Sequence, residues 1–145
     1  MIVRTALRPV LVALFTILPS YLAIGQVAPE SIKGSPAYAE ILLRKTELLA
    51  DIEAVSADYT ETNPKMLDLR FELGSLDKSL TKVFAVKPTE TARLTEALGK
   101  LIVRHAAADA ELNRLSRSYS KDHPEVKRAM RRLEIFDSAI NEILR

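Results

Sequence analysis

The chain has no cysteine, only two histidines and four glycines, and each shortage removes a class of chemistry. Without thiols there is no disulfide framework, no zinc knuckle and no thiol nucleophile. His105 and His123 have no cysteine, second histidine or Glu-x-x-His neighbour at ligand spacing, so no metal site is expected. Nor does any local Ser/His/Asp set point to nucleophilic catalysis. Gly34, Gly74 and Gly99 stand alone, which leaves no phosphate-cradling loop. No cofactor is expected, and the protein reads as a non-enzyme.

A dominant charge is missing as well. Of 21 basic and 19 acidic residues, two basic ones, Arg4 and Arg8, lie in the first 25 positions, and the remainder balances at 19 against 19. A neutral chain offers no overall field to nucleic acid or to an anionic membrane. The longest apolar run, Val10 to Leu18, is closed by Pro19 and falls short of the roughly 20 residues of a membrane span. No useful stretch alternates apolar and polar residues with the period of a strand.

What is present begins with a targeting segment. Arg4 and Arg8, the apolar run, and the small residues of Ala23-Ile24-Gly25 have the layout of a secretory signal peptide over residues 1–25. Cleavage is expected after Gly25, giving a secreted or periplasmic protein that starts at Gln26. If the segment stays uncut, it is the chain's one tie to the membrane. Residues 26–35, with Pro29 and Gly34, read as a flexible lead-in.

Beyond this point the sequence is written twice. Ala37, Arg44, Ala50, Ser56, Tyr59, Pro64, Leu73 and Asp77 recur sixty residues later as Ala97, Arg104, Ala110, Ser116, Tyr119, Pro124, Leu133 and Asp137. Such self-similarity marks an internal repeat. Within each copy apolar residues step by three and four. Ile41, Leu48, Ile52, Val55 and Tyr59, with Lys45 as the polar exception, form one seam, and Met66, Leu69, Leu73, Leu76, Leu80 and Val83 the next. The second copy has Leu94, Leu98, Leu101, His105, Ala108, Leu112, Leu115 and Tyr119, then Val126, Ala129, Leu133, Phe136, Ile140 and Ile143. This spacing predicts helices packed side by side at small angles.

Each copy carries the same interruption, Tyr59 to Pro64 and Tyr119 to Pro124. Proline inside a helix costs roughly 3 kcal/mol and pushes the residue before it, Asn63 or His123, out of the helical region. At the first position of a new helix it costs little, and Asn63 caps well. His123 is a poorer cap, for which Asp122 is a substitute. The motif is thus expected at the tip of a helical hairpin, against the alternative of one kinked helix. The fold expected is all-α: two tandem hairpins, 36–84 and 89–145 joined by a linker at 85–88, forming a four-helix bundle or an elongated antiparallel coiled coil.

The spacing Leu115-x3-Tyr119-x3-His123-Pro124-x-Val126, with Leu133 beyond it, resembles a periplasmic coiled-coil segment of polysaccharide co-polymerases, the chain-length determinants of exopolysaccharide export. The first copy matches through Val55, Tyr59, Asn63, Pro64, Met66 and Leu73. The resemblance implies an envelope location and a helical-hairpin scaffold.

Two sets of residues are candidates for function. The hairpin-tip motif comprises Tyr59, Asn63, Pro64, Tyr119, His123 and Pro124, its tyrosines expected as the last packed rings of their seams. A basic cluster, Arg117, Lys121, Lys127, Arg128, Arg131 and Arg132 with Arg114 beside it, fits either a solvated face with acidic partners or a site for anionic polysaccharide. Charge also inverts between the copies: Asp68 and Glu72 become Arg128 and Arg132. That inversion suggests that these two flanks face each other, within one chain or between chains. The function expected is a non-enzymatic envelope scaffold acting on a protein partner or on its own copies. The alternative is a small periplasmic binding module or chaperone holding an apolar or anionic ligand between hairpins.

Overall fold

The computed structural model describes residues 30–145, so the expected signal peptide and the first residues of the lead-in lie outside the described residues. The fold is all-α. Four long helices, α2 (Pro36–Ser56), α3 (Pro64–Phe84), α4 (Glu96–Ser118) and α5 (Pro124–Leu144), follow a single turn, α1 (Glu30–Lys33), and a short 3-10 helix, Pro88–Arg93, precedes α4. Among the described residues there is no strand.

The starts of these helices are set by local chemistry. Ser35 Oγ accepts the Tyr38 N–H and donates to the Ile32 carbonyl, at 3.3 and 2.7 Å, with Pro36 at the first helical position. Thr95 caps α4 in the same way, accepting from Leu98 N at 3.3 Å. In its first turn Lys100 donates to Glu96, and that hydrogen bond holds the Glu96 carboxyl below its ordinary range. The lead-in is not flexible from residue 30 onward: α1 drives Ile32 completely out of solvent, and Ser35 is buried with it. An isoleucine buried this fully contributes about 1.5–3 kcal/mol, enough to fix a short turn against the core.

Both interruptions are turns. Helix α2 ends at Ser56 and α3 restarts at Pro64, with Tyr59 N bonded back to Val55 O and Asn63 N to Thr60 O. The seven-residue connection folds α3 back antiparallel to α2, and the pairs Arg44–Glu72 and Lys45–Asp77, at 2.8 and 2.6 Å, join the two helices. Burial works to lower the Arg44 pKa, but the hydrogen bonds to Glu72 and Glu47 outweigh it and raise it above its ordinary value. Helices α4 and α5 form the second antiparallel hairpin through Arg132–Glu111 at 2.8 Å.

The hairpins do not close into a square. Helix α4 packs on α2, α3 and α5. Ser75 Oγ donates to Asp109 Oδ2 at 2.8 Å and Asp68 pairs with Arg117; the two contacts together set α3 antiparallel to α4 and so α2 parallel to it. The starts of α2 and α4 nearly touch. A Cβ added at Gly99 would lie 2.8 Å from the Ala37 carbonyl oxygen, a close approach that only glycine permits. Helix α5 rests on α4 and reaches the main core only at its C-terminal end, where Ile140 joins Ile41, Leu48, Leu76, Val83, Leu98 and Ile102. Near its turn, α5 forms a small separate cluster of Val126 and Ala129 with Leu115.

Candidate functional site

The hairpin-tip residues stand at one end of each hairpin and cap the second helix. Asn63 Oδ1 accepts from Lys65 N at 2.9 Å. His123, not Asp122, does the same for α5: its Nδ1 accepts from Glu125 N at 3.3 Å, while exposed Asp122 pairs with Lys127 at 3.1 Å. An imidazole can fill this role because its unprotonated nitrogen is an acceptor at the reach of an asparagine oxygen. Pro64 and Pro124 occupy the first helical positions. The tyrosines depart from expectation. Tyr59 and Tyr119 are each about half exposed, and Tyr119 stacks on the His123 ring with centroids 4.2 Å apart. Helix α4 ends at Ser118, just before Tyr119, and α2 ends at Ser56, three residues before Tyr59, so neither ring continues its helix's seam.

The basic cluster is largely neutralised. Arg117 pairs with Asp68 across the α3–α4 interface, Lys127 with Asp122, Arg128 with Glu125 and Arg132 with Glu111. Among the described residues Lys121 and Arg131 have no acidic partner within 4 Å. The expected meeting of Asp68 and Glu72 with Arg128 and Arg132 does not occur within the chain. Glu72 is buried against Arg44 on its own hairpin, and α5 lies on the far side of α4, out of reach of α3's acidic flank.

Cavities are small or shallow. A small, partly open cavity of about 10 Å³ lies between Ser79, Ile102, His105, Asp137 and Ile140. His105 Nε2 is 4.0 Å from Asp137 Oδ1, and its buried Nδ1 meets no partner. Two open depressions, of about 220 Å³ beside Lys127, Met130 and Arg131 and about 280 Å³ beside Asp68, Glu72 and Arg114, mark the surface. Among the described residues no three His, Asp or Glu side chains converge, and no helix is long and apolar enough to cross a membrane.

The feature that sequence reasoning missed is a set of large apolar side chains left outside the core. Leu42, Leu43 and Leu49 on α2, and Met130 and Ile135 on α5, are exposed. The seams account for one stripe per helix and leave these residues unassigned. A signal was available in α4, where Leu98, Ile102, Ala106 and Ala110 follow at steps of four. All four are buried, and a second apolar stripe requires that a helix be covered on a second side.

No family model matches the chain, and no curated protein and no solved structure matches it either.

Proposed function

We propose that this protein is a non-enzymatic helical scaffold of the cell envelope, secreted or periplasmic, which acts by presenting its helix faces to a protein partner or to its own copies. The observation that carries this reading is the placement of Leu42 and Leu49, seven residues apart on one flank of α2, and of Ile135 on α5 in solvent, apolar side chains that a further packed helix would cover. The cavity of about 10 Å³ is far smaller than the roughly 300–1,000 Å³ clefts of small-molecule sites, and the two depressions, of about 220 and 280 Å³, lie open on the surface. On the resemblance to co-polymerase coiled coils, exopolysaccharide export is the process such a scaffold would serve. Sedimentation and small-angle scattering of the purified chain test the reading. An elongated or associating species supports it, and a compact monomer that protects its apolar faces by taking up a small ligand contradicts it.

The second reading, a binding module for an anionic glycan, draws on unpaired Lys121 and Arg131 and the depression beside Arg131. Salt-sensitive glycan binding lost in Lys121→Gln/Arg131→Gln would favour it. Location is tested separately: N-terminal sequencing of protein from the envelope fraction should begin at Gln26.

A further inference from the structure

We infer that the groove between α4 and α5 receives α2 of a second copy of this chain, in the way that the groove between α2 and α3 receives α4 within one chain. The inference rests on the scaffold reading and specifies its partner. Helix α4 buries one face in the first groove; the residues sixty positions earlier, on α2, are that same face left open. Ile102 is 1% exposed and Leu42 is 44%. Ala106 and Ala110 are buried, Thr46 and Ala50 exposed. The receiving side repeats the contrast. Ser75, 5% exposed on α3, becomes Ile135, 69% exposed on α5, and Ala37, fully buried under α4, becomes exposed Ala97.

The paired positions change together. Inside the chain Ser75 meets Asp109 in a polar contact of 2.8 Å. Sixty residues away from each stand Ile135 and Leu49, the latter 48% exposed, so the corresponding contact between copies is apolar on both sides. Charge follows the same rule. Within the chain Asp68 near the start of α3 meets Arg117 near the end of α4. Between copies the start of α5, where Arg131 has no acidic partner among the described residues and Lys127, Arg128 and Arg132 sit in exposed pairs, would meet the end of α2, where residues 47–58 carry four acidic and no basic side chains. Unlike charges at such a rim guide encounter and register. Asp68, which meets the guest helix α4 through Arg117, becomes Arg128, so the sign at this rim position inverts with the guest.

An interface that joins two different faces is heterologous, and unless the rotation closes a ring it continues as a filament. One position is mismatched. Gly99 allows the close approach to Ala37, whereas the copy would bring Ala39 to that place, holding the second interface slightly farther apart and making it the weaker of the two.

The test uses sedimentation of the purified full chain over a range of concentrations. Wild type should grow in mass beyond a dimer. Leu49→Asp spoils the guest face and Ile135→Asp the receiving groove, and each alone should weaken association roughly tenfold or more, as loss of a central interface contact does. Both sites are exposed in the monomer, so far-UV circular dichroism should be unchanged. Mixed together, the two variants should form a heterodimer that grows no further, since each retains the face that the other lacks. Ala39→Gly should tighten association despite glycine's lower helix propensity. Wild type that stays monomeric, or variants that associate as wild type does, would overturn the inference. If wild type is monomeric but both variants lose binding to another envelope protein, self-docking falls and the scaffold reading stands. If the variants alter neither, both fall.

Discussion

The two hairpins share a sequence pattern and a helix plan but differ in how they are covered. The first hairpin buries Ile41, Leu48, Leu76, Leu80 and Val83 because α4 lies in its groove. In the second, α4 is covered by the first hairpin but no third long helix lies over the groove between α4 and α5, and Leu133, Phe136 and Ile143 remain half-buried. The lesson is that a hairpin of this design is half of a packing unit. Its seam joins the two helices to each other, and a second stripe on each waits for a third helix.

The largest effects should come from breaking the covered side of that comparison. Ile102→Ala should cost about 2–5 kcal/mol, as core truncations do, while Leu42→Ala, sixty positions earlier, should change monomer stability by less than about 0.5 kcal/mol. Equal effects in denaturant melts would mean that the two faces are not differently covered. Next comes Gly99→Ala. The new Cβ would meet backbone at Ala37, forcing the hairpins apart at a cost of about 1–3 kcal/mol, whereas Ala39→Gly should cost only about 1 kcal/mol or less through helix propensity.

Smaller effects sharpen the comparison at the turns. Asn63→Ala should lose about 1 kcal/mol by leaving the α3 start uncapped. His123→Asn should hold or raise stability by a few tenths of a kcal/mol, since asparagine is the better cap. A loss on His123→Asn would show that the stacking on Tyr119 matters more than the cap. Smallest of all, Arg132→Ala should cost only about 0–1 kcal/mol in the monomer, because its pair with Glu111 is exposed.

Much of the architecture was legible in the sequence because helix period and start signals are local. Ser35-Pro36 and Asn63-Pro64 announce two helix starts by capping chemistry alone. The seams were legible too, since Met66, Leu76, Val83, Leu98 and Val126 are buried where the spacing places them. What escaped was decided by tertiary neighbours. Nothing local distinguishes Ile102 from Leu42; their fates differ only because one helix has three long neighbours and the other two. Ile32 sits in a stretch with proline and glycine on either side, so its burial under the α1 turn has no periodic signal. The charge inversion was visible, but its partners were not. Arg117 and Glu111 lie off the seam, and their reach to Asp68 and Arg132 depends on α4 standing in the middle.

The most direct measurement of the central claim exploits the absence of cysteine. A Leu49→Cys/Ile135→Cys chain introduces its only two thiols on helices that share no extensive interface within one chain, at exposed positions that would meet between copies. Mild oxidation should yield a ladder of dimers, trimers and longer chains on non-reducing gels, collapsing to monomer on reduction, with each single-cysteine variant giving at most a dimer. Monomer alone from the double variant, or a ladder no stronger than that of a randomly placed exposed pair, would contradict the account.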